Sequence, residues 1–131
     1  MRKVNMGLTE HIRRAKSIKT VCVSNVLGFL GIPLDFYHST STYKNPHAYR
    51  NVVRRFGYGV RSRKSRISKN ATVGSVRKEL AKMAETVNVV AYMVVVRGHL
   101  MLLSTNGDTI VDTAPRKRDR RKIYAIHAII K

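Results

Sequence analysis

Apolar positions fall at helical spacing through the first part of the chain and then gather into short continuous runs, a change of period that predicts helices followed by strands. Within a cationic arm over residues 1–19, Thr9 and Glu10 are placed to open a short helix. Thr20 is placed to cap the next, which carries Val21, Cys22, Val26, Leu27, Phe29 and Leu30 and is stopped by Gly31 and Pro33. Pro33 is placed to open a brief helix through Phe36 and Tyr37. Asn45-Pro46 opens another with Tyr49, Val52, Val53 and Phe56 on its apolar side, Arg50, Arg54 and Arg55 opposite, and Gly57 at its end. Residues 57–71 read as an exposed basic loop with room for a short strand at Gly59-Val60. Thr72 or Gly74-Ser75 begins an amphipathic helix through Val76, Leu80, Met83 and Ala84.

The second half has strand character. Asn88 to Val96 is uncharged and rich in β-branched residues, Arg97-Gly98 interrupts it, and His99 to Ser104 forms a second run. Asn106-Gly107 is a strong hairpin signal, from which Thr109 to Thr113 returns. After a basic stretch, Ile123 to Ile130 is apolar at both alternating sets of positions, as in a strand covered on two sides. The expected fold class is α+β, with amino-terminal helices packed on a carboxy-terminal antiparallel sheet. A single domain is expected over residues 20–131, without internal repeats.

Charge changes this picture more than composition does. The 131 residues hold 26 Lys and Arg against 7 Asp and Glu, a formal net charge of +19. Such a surplus repels itself in the compact state and makes nucleic acid or another polyanion the expected partner. The candidate phosphate-binding cations are Arg54, Arg55, Arg61, Arg63, Lys64, Arg66 and Lys69, followed by Arg116, Lys117, Arg118, Arg120, Arg121 and Lys122. Tyr43, Tyr49, Phe56 and Tyr58 accompany the first group and are candidates for stacking on bases, although the spacing of Tyr49 and Phe56 equally suits a core. No run reaches the roughly 20 apolar residues of a membrane helix and no signal-peptide pattern opens the chain, so an intracellular or virion location is expected. His11, His38 and His47 show no metal-ligand spacing, and His127 reads as a sheet residue. Neither a metal nor another cofactor is expected.

The candidate chemistry lies in three residues. A hairpin turning at Asn106-Gly107 brings His99 and Asp112 to the same end of the ribbon, within reach of a hydrogen bond. The single cysteine, Cys22, sits in the first turn of a helix, where the partial positive charge of the helix start lowers a thiol pKa. Two bland readings stand beside these: a small buried hydrophobe for Cys22, and a structural pair for His99 and Asp112.

The order of parts resembles the small papain-like cysteine peptidases, especially short phage-encoded proteins similar to bacteriocin-processing peptidase domains. The residues that carry the resemblance are Cys22 with Leu27 and Gly31-Ile32-Pro33, then Thr72-Val73-Gly74, Val94 to Leu100 with its Gly98-His99, Asn106-Gly107, Val111-Asp112-Thr113 and the final strand. The resemblance covers Val21 to the end. It implies a papain-like fold and a thiol hydrolase acting on a peptide or isopeptide bond, with Cys22 as nucleophile, His99 as general base and acid, and Asp112 orienting the imidazole. The alternative is a catalytically inactive basic protein that binds DNA, RNA or a nucleoprotein assembly, either virion or ribosome. One departure from the family is plain. The Gln or Asn that usually precedes the cysteine is missing from Lys16-Ser-Ile-Lys-Thr-Val21, leaving Lys16, Ser17 or Thr20 as substitutes in an oxyanion hole.

Overall fold

The structure is a computed structural model that describes residues 21–33, 46–83, 85–96, 99–112 and 120–131. Helix α1, Val21–Phe29, ends because Gly31 adopts a positive φ of 81°. Its amide bonds the Gly28 carbonyl, and the Ile32 amide bonds that of Leu27. This Schellman closure satisfies carbonyls that would otherwise be orphaned, and it buries Ile32 beside Leu27. Helix α2, Pro46–Arg55, repeats the arrangement with Gly57, whose amide bonds Arg54 while that of Tyr58 bonds Val53. Helix α3, Val73–Lys82, starts in a capping box in which the Thr72 hydroxyl accepts from the Ser75 amide and the Ser75 hydroxyl accepts from the Thr72 amide. The expected arm, the Thr20 cap and the brief helix after Pro33 lie outside the described residues.

Five antiparallel strands form one sheet in the order β1-β5-β2-β3-β4. They are β1 Gly59–Ser62, β2 Val89–Val96, β3 His99–Leu103, β4 Thr109–Val111 and β5 Ile123–Ile130. The fold class is therefore α+β, as the change of period predicts. β2 lies at the centre and packs on both faces. Ala91 and Met93 turn toward α1 and α2, joining Val23, Val26, Leu27, Tyr49, Val52 and Val53. Tyr92, Val94 and Val96 turn the other way, joining Val73, Val76 and Leu80 of α3. Each fully buried aliphatic side chain in these layers contributes roughly 1.5–3 kcal/mol relative to exposure.

Several details depart from the pattern-based expectation. The short strand expected at Gly59-Val60 is present and extends to Ser62 as β1, but the rest of residues 57–71 is built rather than looped: a single 3-10 turn follows at Lys64–Arg66, and Val60, Ile67 and Ala71 are buried. Pairing with β5 supplies the partner that this polar stretch lacks locally. Phe29 and Phe56 are exposed, because Phe29 ends its helix and Phe56 directly follows Arg55, each where the chain turns away from the core. Asn106 does not take the left-handed conformation of a two-residue hairpin. Ser104 to Gly107 instead forms a turn closed by the Gly107 amide on the Ser104 carbonyl, with Gly107 alone at positive φ, 87°. In β5 the pairing with β2 skips Tyr124, since Val95 faces Ala125 and Val96 faces Ile123. The skipped tyrosine is ejected to the surface, and Ile123 stays on the α3 side.

The hairpin is pressed against α3. A Cβ on Gly107 would lie 2.8 Å from the Arg77 Cα and closer still to its carbonyl oxygen, whereas one on Gly31 would meet nothing within 4 Å. Both glycines need positive φ, but only one needs the space. Gly31→Ala is expected to cost about 1 kcal/mol in urea unfolding. Gly107→Ala is expected to cost at least about 3 kcal/mol, since the helix must also shift. Equal losses would show that the hairpin does not bear on the helix.

Candidate functional site

One end of the sheet holds two of the three candidate residues, His99 and Asp112. Its direction follows from the pairing: β2 ends at Val96, which lies opposite His99 at the start of β3 and near Ile123 at the start of β5. β4 runs back toward the same end, with Val111 opposite Leu102 and Asp112 next in the chain. There the His99 Nε2 and Asp112 Oδ1 lie 2.7 Å apart. An ionised carboxylate only accepts, so Nε2 carries the hydrogen and the ring is fixed in tautomer and orientation. The pair is well shielded, with side chains 8% and 13% exposed. Low local dielectric strengthens such a bond.

Cys22 lies in the first turn of α1, and its side chain is outside what the structure describes. The course of the helix is nonetheless defined. α1 packs on β3 and β4, and the Tyr58 hydroxyl, just before β1, donates to the carbonyl of Leu30 beyond the helix's last turn. Gly59 pairs with Ile130 and Ile130 with Val89, so that terminus lies toward the end of the sheet opposite His99. Strand alternation sets His99 on the face of Met101 and Leu103, while α1 covers the face of Leu100 and Leu102, so the imidazole and the cysteine helix lie on opposite faces of the sheet. Lys16, Ser17 and Thr20 are outside the described residues.

The expected cations divide into groups. Arg63 is removed from the candidate phosphate-binding face: its Nε and Nη2 donate to Glu85 at 3.0 and 3.2 Å, and its side chain is only 12% exposed. Arg66 adds a third bond to Glu85 at 3.4 Å but remains largely exposed. The Arg63 guanidinium holds Glu85 below the usual carboxylate range against the effect of burial, with the Tyr92 hydroxyl and Arg66 acting in the same direction as Arg63. Tyr92, buried and donating to Glu85 at 2.8 Å, is raised by burial and then by that bond. Arg54 donates to the Val60 carbonyl and to Asn51. Arg55, Arg61 and Lys69 are exposed, as are Arg120, Arg121 and Lys122 ahead of β5, while Arg116, Lys117 and Arg118 lie outside the described residues. The Glu85 knot gives little local sign in the sequence beyond a lone acid facing a basic segment.

His127 is buried, as a sheet residue should be, but it also meets α2. Its Nε2 lies 3.2 Å from Arg50 Nη1, and only a neutral imidazole can accept that bond. Burial, then the charges of Arg50 and Arg54, push its pKa down to about 4.

Comparison with protein-family models, with curated proteins and with solved structures gives no significant match to this chain. Among the described residues, no helix is long and apolar enough to cross a membrane.

The His127 environment sets a pH dependence. Its folded pKa, about 4, is below the unfolded value of 6.5, so the unfolded chain binds the extra proton between them. The stabilisation is complete above pH 6.5 and is lost as pH falls toward 4. His127→Gln, which retains an acceptor for Arg50, is expected to flatten the fall in urea midpoint across that window. Parallel curves for the two proteins would refute the assignment.

Proposed function

We propose that this protein is a small papain-like cysteine hydrolase of the phage type, acting on a peptide or isopeptide bond within the host cell or the virion. The observation that supports the reading is the 2.7 Å His99–Asp112 hydrogen bond at one end of the sheet. Cys22 is the nucleophile, His99 the base and then the acid, and Asp112 the residue that orients the ring. With Nε2 committed to Asp112, proton exchange with the sulfur runs through Nδ1. The thiolate attacks the carbonyl carbon, the imidazolium gives its proton to the leaving amine, and a thioester remains. Water then attacks that thioester while His99 takes a proton from it, and the acid departs as the thiol reforms. A helix start favours the thiolate and offers amides to the developing oxyanion.

A second reading keeps the scaffold without catalysis, as a basic protein on a nucleic acid or nucleoprotein. It is favoured by exposed cations that no carboxylate answers among the described residues. Substitution separates the two: Cys22→Ser abolishes the biological effect under the first and leaves it intact under the second.

With one thiol in the chain, alkylation reports Cys22 alone. The iodoacetamide rate is expected to titrate well below the ordinary thiol value of about 8.5. His99→Ala is expected to restore that ordinary titration, and Asp112→Asn to shift the profile part of the way. If wild type and His99→Ala titrate alike near the ordinary value, the nucleophile claim fails.

A further inference from the structure

We infer that the sheet edge made by β1 and the 3-10 turn after it is a binding site for the phosphodiester backbone of a nucleic acid. The inference stands whether or not Cys22 is a nucleophile. β1 is the outer strand of the sheet, and from residue 54 to residue 69 the chain carries no acid. An edge strand of this kind invites another strand to pair with it. Here Arg54 donates to the outward carbonyl of Val60, so the edge is capped by a guanidinium rather than left open to strand addition.

Cations flank this edge on both faces. Arg54 comes from α2 on the Val60 face, and Arg61 lies on the opposite face, across from Ala128. Beyond the strand, Ser62, Lys64, Ser65, Ile67 and Lys69 line an open recess of about 550 Å³. Two hydroxyls and two ammonium groups stand on its rim, a set that suits phosphate oxygens. Among the described residues no carboxylate pairs with Arg61, Lys64 or Lys69, in contrast to Arg63 and Arg66 on Glu85. These cations lie on both faces of the edge and along the turn beyond it, so a flexible polyanion chain can follow them around the edge, whereas a flat membrane surface meets one face at a time. Ahead of the strand, Phe56 is exposed and stacked on Tyr58 with ring centroids 6.2 Å apart, giving a flat partner for a base.

The test compares two triple variants of the full chain with equal loss of charge. Arg61→Ser, Lys64→Ser and Lys69→Ser alter the edge, while Lys78→Ser, Lys82→Ser and Lys131→Ser alter exposed lysines elsewhere. Binding is read by fluorescence anisotropy of a labelled single-stranded oligonucleotide over a salt series, with thermal melts as the folding control. The edge variant is expected to weaken binding at least ~30-fold and to lower the log–log salt slope by about 2, as three lost phosphate contacts require. The control is expected to change affinity less than about threefold, the residual effect of net charge alone. Equal loss in both variants, or none in either, overturns the inference. So does equally tight binding to phosphatidylserine vesicles that the edge variant also abolishes. Should the edge triple fail to fold, Lys64→Gln with Lys69→Gln, set against Lys78→Gln with Lys82→Gln, makes the same comparison.

Discussion

A central strand that is apolar at every position imposes the architecture. β2 has no polar side, so neither face can meet water, and each must be covered by its own layer. α1 and α2 cover one face and α3 covers the other. Side chains that need water or a charged partner gather at the ends of the strands and the outer edges, with His127, bonded to Arg50 from the middle of β5, as an exception. The positions of His99 and Asp112 follow from that exclusion, since they occupy the start of β3 and the residue just past β4. Their end of the sheet is where polar chemistry costs the core least.

Three of the four described acids, Glu79, Glu85 and Asp112, tie neighbouring segments together. Glu85 ties Arg63 and Arg66 to the segment before β2 and accepts from Tyr92, so the turn after β1 is fastened to the α3 side of the sheet. Glu79 accepts both the amide and the hydroxyl of Ser68. Asp112 is spent on His99. Ion pairs of such low exposure add little net stability, because desolvation offsets the attraction, but removing one partner leaves a buried charge that costs about 3–5 kcal/mol. Their effect is to fix where the basic segment runs.

Local signals read well where the reason is local. The glycines after α1 and α2, Pro46 at the first position of α2, and the Thr72-Ser75 capping box each act within a few residues. The His99–Asp112 meeting was also legible, because a hairpin fixes which residues share an end. What the sequence concealed depends on distant partners. Gly59-Val60 could be read as a short strand, but its extension to Ser62 and its partner could not, because both depend on Ile130 and its neighbours at the far end of the chain. Arg63 looks like any other cation of its run until Glu85 is brought beside it. Phe56 has core spacing, yet it falls where Gly57 turns the helix away. The bulge at Tyr124 is hidden for the same reason: β5 is apolar at both sets of positions, so its pattern does not register a skipped residue.

The division of charge between inside and outside links these features to function. Among the described residues the acids other than Asp108 are engaged by arginines, a serine or a histidine, and with 26 Lys and Arg against 7 acids the net charge of +19 is carried largely uncompensated. Like charges at such density destabilise the compact state, most strongly at low salt. Anything that neutralises them on the folded chain therefore also stabilises it, by the linkage that couples ligand affinity to folding. A protein that needed only stability could have spread its acids across the surface. Committing Glu79, Glu85 and Asp112 to fixed bonds leaves the basic edge of the sheet with little compensation among the described residues, and that surplus draws a polyanion toward it.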